Sequence, residues 1–122
     1  MTEAGQKPTA IAVKNLYVEP SSAFKASVCS FTDASGNPVD VSAWTFRLHM
    51  KEGEGAATPR LALTEGQGLT VEGAAVYVSL SLEQVTANAG QVLVYDLRID
   101  RVGLNPFYPV RGTVHFIHRV TE

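Results

Sequence analysis

The stretch "SAWTFRLHMKE", Ser42–Glu52, decides how the rest of the chain reads. Its large apolar residues Trp44, Phe46, Leu48 and Met50 fall on every second position, and Thr45, Arg47, His49 and Lys51 fill the places between. Side chains of an extended strand alternate between two faces, so period 2 puts one face on a core and the other in water. This segment is a half-buried strand.

The same rhythm extends on both sides. In "AFKASVCSFTD", Ala23–Asp33, the residues Phe24, Ala26 and Val28 alternate with Lys25 and Ser27. "DASGNPVD", Asp33–Asp40, is rich in turn residues, with Gly36 and Asn37 tolerant of positive φ and Pro38 unable to donate to a ladder. It predicts a tight connection between two strands. "LALTEGQGLTVEG", Leu61–Gly73, predicts two short strands around a glycine turn, and "AAVYVSLS" continues the pattern with Val76, Val78 and Leu80. In "QVLVYDLRID", Leu93, Tyr95, Leu97 and Ile99 share a face. Val92 and Val94 on the other face predict a central strand that begins covered on both sides. "AIAVKNLYV", Ala10–Val18, is an apolar run ahead of a turn at Glu19-Pro20.

One segment breaks the period. In "SLEQVTANAG" Leu82, Val85 and Ala89 lie at i, i+3 and i+7, Ser81 and Gln84 have capping-box spacing, and Gly90 stands where a C-cap glycine belongs. This predicts a short helical turn between strands. Many short strands, close turn signals and no βαβ alternation predict an all-β, antiparallel, immunoglobulin-like sandwich. Residues 10–122 form the single domain in this reading, and residues 1–9, polar and without periodicity, a flexible arm.

Composition narrows function. Net charge is -2 over 122 residues, which gives no general attraction to nucleic acid or anionic membranes. No apolar run has membrane-spanning length, and the first residues lack a signal-peptide pattern, so a soluble protein of the reducing cytoplasm is the expectation. Cys29 is the one cysteine, read as a small core residue. Near the end, "RGTVHFIHR", Arg111–Arg119, carries two histidines spaced H-x-x-H. On a strand, residues three apart point to opposite sides, so His115 and His118 do not converge on a metal. Gly112, Val114 and Phe116 face inward, while Arg111, His115 and Arg119 form an outer contact face. Asp96 and Asp100 are expected to pair across strands with Arg111 or Arg119. "DASGNPVD" lacks the spacing of a calcium loop, and no base, nucleophile and orienting group assemble. The reading is therefore no enzyme, no cofactor and no metal.

The residues Phe31, Asp33, Gly36, Pro38–Ser42 and Trp44–Arg47, then Leu80–Thr86, Gly90 and Tyr95–Asp100, then Arg111–Val114 and Val120-Thr121 form an ordered set. That set resembles the small β-sandwich domains of tailed-bacteriophage structural proteins, including the amino-terminal domain of baseplate upper proteins and related tail or fibre modules. It spans Val13 to Thr121. The resemblance implies a non-enzymatic virion component, assembled in the bacterial host cytoplasm, whose partners are other virion proteins and further copies of itself. Candidate contacts are the arm, the loops 51–60 and 102–109 with Leu104, Phe107 and Tyr108, and the Arg111, His115 and Arg119 face. The competing reading is a carbohydrate- or receptor-binding module using Tyr17, Phe107 or Tyr108 as an aromatic platform.

Overall fold

The computed structural model describes residues 12–20 and 22–117, so the arm, His118 and Arg119 lie outside the described residues. Among the described residues nine strands and one helix follow in order: β1 (Ala12–Val13), β2 (Leu16–Val18), β3 (Phe24–Ser30), β4 (Thr45–Lys51), β5 (Leu61–Glu65), β6 (Gly68–Glu72), β7 (Ala75–Leu80), α1 (Leu82–Ala87), β8 (Val92–Asp100) and β9 (Phe107–Phe116). Hydrogen bonds run through them in the order β1-β9-β8-β4-β5-β6-β7-β3, with β2 also on β9. β5 and β6 touch through only two parallel residue pairs, Thr64 with Gly68 and Glu65 with Leu69. There the chain leaves one layer for the other. The first layer is β1/β2-β9-β8-β4-β5 and the second is β6-β7-β3.

The two layers face each other across one core. Phe46, Leu48, Leu97 and Val110 of the first layer share a single buried cluster with Val28, Leu69, Val76 and Val78 of the second. Burial alternates along β4 as expected, with Phe46, Leu48 and Met50 buried and Thr45 and Arg47 exposed. Strands β3, β6 and β7 against β4, β8 and β9 reproduce the two layers of an immunoglobulin-like sandwich, with β5 added beside β4 as in the variable type. The all-β, immunoglobulin-like expectation holds, and the pairings between long strands are antiparallel. The exceptions beyond β5–β6 are β1 and β2, which both run parallel to β9.

Those first strands show why "AIAVKNLYV" is not one strand. At Lys14-Asn15 the chain presses against β9 and the ladder is interrupted. The Tyr95 hydroxyl donates to the Lys14 carbonyl at 2.6 Å, and the Thr113 backbone N–H donates to Asn15 Oδ1 at 3.1 Å. Lys14 Nζ donates to the Ser27 carbonyl at 2.7 Å, tying the first layer to β3 of the second. Opposite this step stands Gly112. A Cβ there would overlap the Lys14 carbonyl oxygen and sit 2.8 Å from its carbon. Only a residue without a side chain lets the two backbones approach. Tyr95→Phe, which removes the hydroxyl donor to the Lys14 carbonyl, is expected to cost about 1 kcal/mol in urea unfolding.

Val92 departs from expectation, being 53% exposed rather than covered. β8 is central within its layer, between β4 and β9, but among the described residues no second layer packs over its outer face. Helix α1 follows the capping-box reading: Ser81 Oγ accepts from the Gln84 N–H at 3.1 Å and Gln84 Oε1 accepts from the Ser81 N–H at 2.9 Å. The helix ends at Asn88 rather than directly at Gly90, and Gly90 follows with φ +81°. Ser81→Ala should cost about 1 kcal/mol of stability, read as a lower urea midpoint at unchanged slope.

Candidate interaction surface

The outer face of the first layer can be read row by row from its register. Tyr17 of β2 lies beside His115 of β9, which lies beside Val92 of β8. One step along, Thr113, Val94 and Lys51 align, and then Val13, Arg111, Asp96, His49 and Ala62. The next row brings Arg98, Arg47 and Thr64 together. Val13, Thr113, Val94, Lys51, Arg111, Asp96, His49, Arg98 and Arg47, with Tyr108, line a shallow groove of about 640 Å³, and the Tyr17–His115–Val92 row lies outside it.

The rows differ in chemistry. At one end the Tyr17 and His115 rings stack at 4.8 Å with 17° between planes, and Thr113 Oγ1 holds His115 Nε2 at 2.9 Å. Tyr17 is 58% exposed, and Val92 beside this pair adds an apolar edge. At the other end Asp100 binds Arg98 at 3.0 Å and Arg47 at 3.4 Å. Hydrogen bonds from Arg98 above all hold the Asp100 carboxyl below its usual pKa. This corrects the expected pairing with Arg111: Asp96 lies opposite Arg111 in register, but the acid–base contacts formed belong to Asp100. The outer Arg111 and His115 face is as the period-2 reading placed it.

The loop reading of 102–109 needs correction. β9 begins at Phe107, so Phe107 and Tyr108 are strand residues. Phe107 packs against the core and meets Trp44 edge-on at 5.9 Å and Phe31 at 6.5 Å, while Phe31 and Trp44 meet at 5.2 Å. These three rings close one end of the sandwich. Leu104 remains exposed. An aromatic platform is not built either: Phe107 is in this cap. Tyr17 lies opposite His115, seven positions along β9 from Tyr108.

Other residues singled out by sequence are absorbed structurally. Asp33 Oδ1 accepts backbone N–H groups from Ser35 at 2.9 Å and Asn37 at 3.0 Å, closing the turn through Gly36. Asp40 accepts from Ser42, whose backbone N–H lowers the carboxyl pKa. Cys29 sits half-buried against the core, and burial pushes its thiol up to about 11 against a smaller opposing pull from Lys14. Burial likewise pushes Tyr95 up to about 12, with Cys29 adding to it. Both groups bind their protons more tightly folded than unfolded. Their contribution is therefore complete below about pH 9 and drains away as pH rises through 11 to 12. The urea midpoint should fall over that range, and Cys29→Ala with Tyr95→Phe should flatten the fall.

Sequence reading missed the Asn88 junction. Asn88, buried at the end of α1, donates to the Gln84 carbonyl at 2.8 Å and accepts from Arg60 Nε at 2.8 Å, while Arg60 also binds Glu52 at 3.0 Å. No periodic signal marks an asparagine whose partner is 28 residues away.

No family model and no curated protein matches this sequence. Among solved structures, one from a photo-crosslinking study of multimeric cell-adhesive interactions of VGSC beta subunits aligns at 12% identity and a TM-score of 0.45, covering 90% of this chain and 98% of that one. The extracellular domain of the voltage-gated sodium channel beta4 subunit, a parallel homodimer, aligns at 11% identity and a TM-score of 0.41, covering 95% and 100%. Likeness at that level carries nothing about what this chain binds.

Proposed function

We propose that this domain is a non-enzymatic structural module of a tailed-phage virion, working by packing the outer face of its first layer against other virion proteins and against further copies of itself. The observation that supports this reading is the face of β2-β9-β8-β4, which no other described element covers. It joins a stacked Tyr17–His115 pair and exposed Val92 to a field of both charge signs. Interfaces use such a mixture: an aromatic anchor for desolvation and a polar surround for register. The virion context rests on the resemblance of the ordered sequence set from Val13 to Thr121 to tailed-phage β-sandwich domains.

The carbohydrate reading loses its platform with Phe107 inside the end cap and Tyr17 and Tyr108 far apart. Biolayer interferometry of the immobilised domain against purified tail and capsid components of tailed phages tests the virion reading. Saturable binding that drops at least tenfold in Tyr17→Ser/Arg111→Glu is expected. Binding untouched by that double variant, or none to any component, counts against it.

A further inference from the structure

We propose that Arg101, resting against Phe107 and Trp44 at the closed end of the sandwich, is a docking point for a carboxylate side chain of a partner protein, with the exposed Val102 and Leu104 of the turn that follows engaging its apolar residues. The guanidinium carbon lies 4.5 Å from the centre of the Phe107 ring and 5.8 Å from that of Trp44. Those rings are themselves fixed by edge-on contacts with each other and with Phe31. A planar cation against aromatic walls loses little further freedom on meeting a carboxylate, which is where arginine outperforms lysine.

Two observations show that this charge is prepared but not answered among the described residues. Arg101 Nε is buried and has no hydrogen-bond partner. Among the described residues Arg101 forms no ion pair, and its neighbour Asp100 is already bound to Arg98 and Arg47. A partly desolvated cation with a buried, unpaired Nε is costly, and the attraction of an anion at the remainder of the guanidinium offsets part of that cost. The turn that follows supplies the apolar part. The Leu104 N–H donates to the Arg101 carbonyl at 3.1 Å, and Gly103 takes φ +76°, a conformation that turns the chain back on itself. It leaves Val102 93% and Leu104 59% exposed on either side of the turn. A fixed cation at the start of a turn that exposes two aliphatic side chains fits an acidic residue set between apolar ones. The inference does not depend on the sheet face being an interface.

Trp44 is the single tryptophan of the chain, so its fluorescence reports this site alone. The probes are acetyl-Leu-Glu-Val-amide, its Gln analogue and inorganic sulfate, titrated into the whole domain. The Glu peptide should give a saturable change with half-saturation at least tenfold lower than the Gln peptide, lost in Arg101→Gln. Should Arg101→Gln fail to fold, Arg101→Lys serves: it keeps the charge, loses the plane, and is expected to bind at least threefold more weakly. Val102→Ser/Leu104→Ser, both exposed, should weaken the Glu peptide several-fold and leave sulfate unchanged. Equal response to the Glu and Gln peptides, no response, or binding indifferent to Arg101 overturns the proposal. Sulfate that saturates as readily as the Glu peptide also overturns it, by showing a free-oxyanion site instead.

Discussion

Gly112→Ala is expected to lower stability by about 3 kcal/mol, at the upper end of what a single added methyl costs in a close-packed site. The methyl has nowhere to go, because it meets backbone at Lys14 and the Asn15 side chain 3.0 Å away rather than a flexible group. The relief available is to push β1 and β2 off β9. That breaks the Thr113–Asn15 and Tyr95–Lys14 hydrogen bonds together. Urea unfolding should show the lower midpoint. Native-state hydrogen exchange should show protection lost first at the amides of Leu16–Val18. A change under about 0.5 kcal/mol would mean the first strands are not docked as described.

Phe46→Ala should cost about 4 kcal/mol, while Arg47→Ala next to it should stay within about 0.5 kcal/mol. Phe46 is 1% exposed, belongs to the common core and lies against Trp44 at 6.3 Å between ring centres. Arg47 stands on the other face, with a half-exposed guanidinium whose ion pair to Asp100 is 3.4 Å long. Its loss therefore leaves the core intact. Comparable costs at the two positions would contradict the assigned faces of β4.

That contrast marks what sequence alone could reveal. Period 2 in Ser42–Lys51 and Gln91–Asp100 located β4 and β8, because a half-buried strand writes its environment into every second residue. The Ser81–Gln84 box located α1 for the same local reason: both partners are within one turn. What stayed hidden depends on residues far apart. The break at Lys14-Asn15 exists because of Tyr95 and Thr113, 81 and 98 positions away. The parallel docking of β1 and β2 on β9 has no local signature. Val92 misled because an apolar residue on a central strand looks the same whether a second layer covers it or water does. Phe107 misled through its Pro/Gly setting, which resembles a loop, although its ring is drawn into the end cap by Trp44 and Phe31. For the candidate surface, Arg111 and His115 were legible as outer-face residues. Their row partners Tyr17, Val92 and Asp96 required the register.

The central claim is that the outer face of β2-β9-β8-β4 is an assembling surface, and solution mass by light scattering over a wide concentration range tests it most directly. The native chain should gain mass with concentration, and Tyr17→Ser/Arg111→Glu, with both changes on exposed side chains, should remain a monomer with an unchanged urea midpoint. A native chain that stays monomeric throughout, or a double variant that associates as the native chain does, would contradict it.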